Sequence, residues 1–176
     1  MPNKIIIIRH GESEKDKSNP LRGLTEKGKK QIAETGVVLK KLAANQSVEI
    51  ISSTTPRAVQ TAEIFAKALE APFTKRFCNL RVENIEQVSR NQENLTAKYF
   101  EAFAKKALPF KVPSPRAMVR RFLDAVGASN AEIVIIAGHS GALEAFAAFQ
   151  TIFTSEKKLE RELKYGEFIV LTREKC

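Results

Sequence analysis

Two apolar runs, Ile5-Ile6-Ile7-Ile8 and Ile133-Val134-Ile135-Ile136-Ala137, carry no polar alternation. That is the pattern of strands buried on both faces of a parallel sheet. Val48 to Ile51 reads as another such strand, Phe73 to Leu80 as a short one, and Glu167 to Thr172 as the last. Between them the spacing turns helical. Thr25 is placed to cap a helix with apolar positions Ile32, Gly36, Leu39 and Leu42, ending near Ala44-Asn45. Ser52 to Thr55 then caps a helix that starts with Pro56 and carries Val59, Ala62, Ile64, Phe65 and Leu69. Helical spacing returns over Leu95 to Ala107 and Ala117 to Val126, with Pro109, Pro113 and Pro115 punctuating the connection, and again over Ala142 to Phe153. Glu12 to Gly23 and Arg81 to Glu93 are polar and irregular and read as loops; Ser155 to Lys164 is a charged stretch. Strands alternating with helices imply right-handed crossovers and an α/β fold, a mostly parallel sheet covered on both faces.

A length of 176 residues fits a single domain, 1–176, with a sizeable core, and neither a repeat nor a linker interrupts it. No apolar run approaches the ~20 residues of a membrane span. The amino terminus runs directly into the first strand with no signal-peptide pattern, so a cytoplasmic protein with no membrane partner is expected. Cys78 and Cys176 make no disulfide framework and read as free thiols. The net charge of +9 raises a nucleic-acid or anionic-ligand reading. The basic excess is spread over the first two thirds of the chain, with no basic tail, and Lys27-Lys29-Lys30 and Lys40-Lys41 fall on predicted helices, where solvated lysines are the usual explanation. No nucleic-acid partner is therefore expected.

The chemistry concentrates at strand ends. The chain has only two histidines, and each lies in a glycine-flanked turn after an apolar run, in Arg9-His10-Gly11 and in Gly138-His139-Ser140-Gly141. Carboxyl ends of parallel strands form the rim where α/β proteins bind ligands, so the two turns can share one site. Arg57, near the start of the helix after the second strand, joins them. Two arginines and two histidines are costly to gather without an anion. A phosphoryl group removes that cost, because guanidinium forks pair with phosphate oxygens and a helix amino terminus adds backbone donors. Glycines at 11, 138 and 141 let the backbone approach closely.

Three segments, Arg9-His10-Gly11-Glu12, Ser52-x-x-x-x-Arg57-Ala58-x-Gln60-Thr61-Ala62 and Gly138-His139-Ser140-Gly141, resemble the signatures of the histidine phosphatase superfamily, also called phosphoglycerate mutase-like. Leu24-Thr25-x-x-Gly28-x-x-Gln31 resembles the segment that opens the first helix in that family. The resemblance covers nearly the whole chain. It implies a three-layer α/β/α sandwich, with His10 attacking phosphorus to form a phosphohistidine while Arg9, Arg57 and His139 stabilise the charge on the oxygens. Gly11, Ser13 and Ser140 join Arg9, Arg57 and His139 as expected phosphate-binding positions. A general acid is expected after the second helix, following a Leu. Leu80-Arg81-Val82-Glu83 fits it, which makes Glu83 the candidate, with Glu86 on the same loop and Glu12 or Glu144 as alternatives. No metal and no cofactor is expected, since both histidines are already assigned.

Mutases of the family resemble Arg-His-Gly-x-Ser-x-x-Asn, whereas this chain has Asp16 where the amide belongs. A carboxylate beside a bound phosphate is repulsive unless it points away. The chain is also short for those enzymes and is more similar to the small, open-sited phosphatases, among them phosphohistidine phosphatases and broad phosphomonoesterases. The expectation is a phosphatase acting on a phosphorylated small molecule or a phosphoprotein. A mutase-type phosphotransferase and a non-catalytic phosphate-binding module are the alternatives, and the oligomeric state is left open by the sequence.

Overall fold

A computed structural model describes residues 1–16, 18–19, 21–77, 115–155 and 163–173. In chain order the elements are β1 (Lys4–Arg9), α1 (Glu26–Leu42), β2 (Val48–Ser53), α2 (Pro56–Leu69), β3 (Phe73–Phe77), α3 (Pro115–Gly127), β4 (Ile133–Gly138), α4 (Ala142–Phe149), β5 (Phe153–Ser155) and β6 (Phe168–Arg173). The sheet has six strands in the order β3-β2-β4-β1-β6-β5. The β3-β2, β2-β4 and β4-β1 pairs are parallel, while β6 pairs antiparallel with both β1 and β5. This is the α/β sandwich with a mostly parallel centre that the alternation predicts.

The unbroken apolar strands have the predicted cause. Ile5, Ile7, Ile51, Val134 and Ile136 pack on one side against α3 and α4, where Phe122 and Phe146 stack at 4.7 Å between ring centroids. Ile6, Ile8, Ile50, Ile133 and Ile135 pack on the other side against α1 and α2 through Ile32, Leu39 and Phe65. Each fully buried aliphatic side chain contributes ~1.5–3 kcal/mol relative to exposure, so the two clusters fix the strand register. That register sets the site, because Arg9 lies opposite Gly138 and Ser52 opposite Ala137. The residues that follow three strands therefore emerge level with one another.

The first helix begins where the sequence places it: the Thr25 hydroxyl accepts from the Gly28 amide at 3.0 Å. Glycine at 28 is required by contact. A Cβ there would lie 2.0 Å from the Glu12 carbonyl oxygen, and one at Gly11 would lie 2.6 Å from the Gly28 carbonyl oxygen. The loop after β1 thus packs directly on the first turn of α1.

Three expectations need correction. Helix α4 stops at Phe149 instead of Phe153, because the Gln150 side chain accepts from the amides of Ile152 and Phe153 and turns the chain into edge strand β5. Leu42 is exposed, since Leu39 and Ala43 take the buried side of the last turn of α1. Ser52 and Ser53 complete β2 instead of capping α2, and the cap residue Thr55 makes no side-chain bond to the helix. Its hydroxyl goes to His139 instead. The predicted helix at Leu95 to Ala107 lies outside the described residues, as do Cys78 and Cys176.

Candidate active site

The expected site residues gather at the carboxyl ends of β1, β2 and β4. The His10 amide donates to the Gly138 carbonyl at 3.0 Å, which ties the first histidine turn to the end of the strand carrying the second. The two imidazoles meet edge to face with centroids 5.1 Å apart, and both are buried. Arg57, fully buried in the first turn of α2, reaches between the strands and donates from Nε to His10 Nε2 at 3.2 Å. The structure therefore brings His10, Arg9, Arg57 and His139 together.

The geometry settles the His10 tautomer. Its Nδ1 lies 2.8 Å from the Gly11 carbonyl oxygen, which only accepts, so Nδ1 carries the hydrogen and Nε2 keeps its lone pair. Burial is the largest influence on its pKa, lowering it from 6.5 to about 3; the bond to Gly11 works the other way, and the charges of Arg57, Arg9 and Arg22 lower it further. The result is a neutral imidazole whose unprotonated nitrogen lies beside a guanidinium.

His139 is held by hydroxyls. Its Nε2 lies 2.8 Å from Ser53 Oγ and 3.0 Å from Thr55 Oγ1, so the last residue of β2 and the cap residue of α2 fix the second imidazole. Arg9 leaves β1 at the rim, where its Nη1 donates to the Leu163 carbonyl at 2.6 Å and its guanidinium lies 4.3 Å from the centre of the Tyr165 ring.

The remaining expected phosphate positions have visible partners. The Gly11 amide donates to Thr61 Oγ1, which in turn donates to the Arg57 carbonyl. Ser13 bridges to Leu24, and Ser140 donates to Glu144. Glu144 is buried at the start of α4 and accepts from the amides of Gly141 and Leu163, bracing the second histidine turn against the 163–166 segment. Glu12 pairs with Lys27 at 2.8 Å; that bond holds its carboxyl below the usual glutamate range, the wrong direction for a proton donor. Asp16 is spent on its own turn, accepting from the amide and hydroxyl of Ser18, and those bonds lower its pKa. Glu83 and Glu86 lie outside the described residues.

Residues that sequence reasoning did not single out complete the surroundings. Arg22, buried at the end of the loop after β1, adds a third positive charge felt by His10. Gln60 and Gln31, present in the quoted motifs, fasten that loop: Gln60 Oε1 accepts from the Leu24 amide at 2.7 Å and Gln31 Oε1 from the Glu12 amide at 3.1 Å.

With this geometry in view, comparison with known proteins is informative. The family model of the histidine phosphatase superfamily (branch 1) matches residues 5–175. The chain belongs to this superfamily. No curated protein matches it by sequence. Among solved structures it is similar to mycobacterial hydrolase 1, at 17% identity and a TM-score of 0.63 over 97% of this chain and 89% of that one. It is also similar to a mycobacterial glucosyl-3-phosphoglycerate phosphatase, at 18% identity and 0.59 over 96% and 89%. Bacillus stearothermophilus YhfR aligns at 24% identity and 0.55 over 82% and 78%. At these identities the likeness is one of fold.

Proposed function

We propose that this member of the histidine phosphatase superfamily is a metal-independent phosphatase that hydrolyses a phosphomonoester or a phosphoprotein, phosphohistidine proteins included, through a phosphoenzyme on His10. The observation that carries the reading is the His10 tautomer: Nδ1–H is fixed on the Gly11 carbonyl, and Nε2 faces Arg57, with Arg9 and Arg22 adding positive charge nearby. A phosphate-binding module would need the arginines but not a neutral imidazole with its lone pair oriented among them.

An entering phosphoryl group takes donors from Arg57 and Arg9, with His139 beside them. His10 Nε2 attacks phosphorus, the bond to the leaving oxygen breaks, and that oxygen takes a proton from the general acid, for which Glu83 is the proposed residue. Water then attacks the phosphohistidine and gives its proton to the same carboxylate, returning inorganic phosphate and neutral His10. Each arginine is asked to stabilise charge that grows toward the transition state, where a preorganised donor is worth about 10²–10³ in rate.

Rapid quench with a fast substrate tests the reading. An acid-labile phosphoenzyme that maps to His10, together with loss of turnover in His10→Ala, is the expected result. Turnover at the wild-type rate in His10→Ala, or a phosphoenzyme on another residue, would overturn it. Profiling against phosphomonoesters and a phosphohistidine protein then assigns the substrate class.

A further inference from the structure

Three polar atoms form a closed triangle at the second histidine. His139 Nε2 lies 2.8 Å from Ser53 Oγ and 3.0 Å from Thr55 Oγ1, and the two hydroxyl oxygens lie 3.2 Å from each other. All three residues are buried. Ser53 ends β2 and Thr55 precedes α2, so one short connection supplies both hydroxyls. A threonine at a helix start ordinarily accepts from an amide of the first turn. Thr55 makes no such bond; the amides of Ala58 and Val59 go to its carbonyl, and its hydroxyl goes to Ser53 and His139.

Counting hydrogens decides which way these bonds run. Each hydroxyl has one hydrogen to give, and among the described residues the two oxygens have no hydrogen-bond partners beyond each other and Nε2. With a hydrogen on Nε2 the nitrogen could not accept. One hydroxyl could then donate to the other, and the second would be left with a buried hydrogen and no acceptor. With Nε2 bare, one hydroxyl donates to the nitrogen and the other donates either to it or to the neighbouring oxygen, so every hydrogen is placed. A buried donor left without an acceptor is costly, which selects the second arrangement.

We infer that Ser53 and Thr55 are positioning residues for the second histidine: their hydroxyls donate to Nε2 and hold His139 as a neutral imidazole with its hydrogen on Nδ1. Both histidines then have the same tautomer by opposite means, a carbonyl that accepts at His10 Nδ1 and hydroxyls that donate at His139 Nε2. His139 adds no charge to that of the arginines, and the hydrogen it can offer a phosphoryl oxygen is the one on Nδ1. A donor whose hydrogen is fixed before substrate arrives needs no rearrangement during the reaction.

The consequence for turnover rests on the phosphatase reading, and the experiment separates the two. The chain has two histidines, so a long-range proton–nitrogen spectrum of labelled wild type at neutral pH shows two imidazole patterns, and His10→Gln assigns them by removing one. His139 is expected to show a hydrogen on Nδ1 and a bare Nε2. A hydrogen on His139 Nε2, alone or together with one on Nδ1, overturns the inference whatever the variants do. Combining Ser53→Ala with Thr55→Val should move the hydrogen toward Nε2 and lower kcat/KM on a phosphomonoester roughly 10- to 100-fold. Ser53→Ala with Thr55→Ser returns one hydroxyl and should restore the tautomer and most of the rate, with thermal unfolding showing that both proteins fold. A Val combination that keeps the wild-type tautomer or rate, or a Ser combination that regains neither, overturns the inference. If the Val combination does not fold, Thr55→Ala takes its place. A wild type with the expected tautomer that hydrolyses nothing defeats the phosphatase reading alone, and affinity for inorganic phosphate by calorimetry then replaces kcat/KM. Hydrolysis by a wild type with a hydrogen on His139 Nε2 defeats the inference alone.

Discussion

Arg57 Nε and His10 Nε2 lie 3.2 Å apart, donor to lone pair, so the guanidinium lies in the direction from which the proposed nucleophile would attack. In the proposed mechanism phosphate exchanges that bond for contacts to its own oxygens. Arg57→Lys is therefore expected to do more than remove a fork. An ammonium at that site can neither span two phosphate oxygens nor reach Nε2 in the same geometry, and kcat/KM should fall by about 10²-fold or more. Steady-state kinetics on one phosphomonoester checks it; a loss under fivefold would show that Arg57 is not oriented toward the reacting group.

The pH dependence follows from the buried imidazole. His10 titrates at about 3 when folded and near 6.5 when free, so between these values the unfolded chain binds a proton that the folded one refuses. Its contribution to stability is intact above pH 6.5 and declines as pH falls toward 3. His10→Gln removes this proton, and its stability should decline less steeply than the wild type's across that window in denaturant titrations. Equal slopes would place the His10 pKa elsewhere. For the same reason, kcat/KM should show no acid limb near pH 6.5 attributable to the nucleophile.

Gly28→Ala tests how the loop after β1 is held. The added methyl would overlap the Glu12 carbonyl at 2.0 Å, and backbone cannot rotate aside as a side chain does. A loss of about 1–3 kcal/mol or more is expected in equilibrium unfolding, along with reduced activity, since Glu12 follows Gly11 and His10 directly. Wild-type stability would mean that the contact is looser than drawn.

The general acid is tested through leaving groups. Glu83→Gln should slow hydrolysis of an alkyl phosphate by about 10²-fold or more while sparing p-nitrophenyl phosphate, whose phenolate departs without a proton. Equal losses on both substrates point to binding or folding, and the same selective loss in Glu86→Gln with none in Glu83→Gln moves the role along the loop.

Chelation gives a separate check on the metal-independent mechanism. Activity should survive exhaustive dialysis against EDTA, and loss with recovery on added Mg²⁺ or Zn²⁺ would exclude the mechanism as written.

Much of this was legible in the chain because its causes are local. Ile5 to Ile8 shows no alternation because both faces are covered, and a histidine between a strand and a glycine marks a rim wherever the sheet runs parallel. Thr25, Gly28 and Gln31 were legible as a motif, although the reason for Gly28, contact with the Glu12 backbone, is tertiary. Tyr165 and Glu144 carried no comparable signal. One is an aromatic residue just after a charged stretch and the other an acid in a helix, and each acquires meaning only because β6 runs antiparallel beside β1 and brings residues 163 to 166 over Arg9. The overextended reading of α4 has a similar origin. Apolar residues continue to Phe153, and only the side chain of Gln150, bonding two amides ahead, ends the helix.

Strand β1 lies between β4 and β6, so Ile5 is paired with Val134 on one side and Leu171 on the other. Both partners are made long after it. During synthesis the four consecutive isoleucines leave the ribosome with neither neighbour available, and such a β-prone, uncharged stretch is a template for wrong pairing until β4 and β6 have been made. The first histidine turn is thus translated well before the two strands that hold it and is assembled only after them. A nascent chain halted before residue 163 should remain open to protease within β1, whereas extension past β6 should close that site. Yield in cells would then depend on how well chaperones shield residues 5 to 8 during that interval.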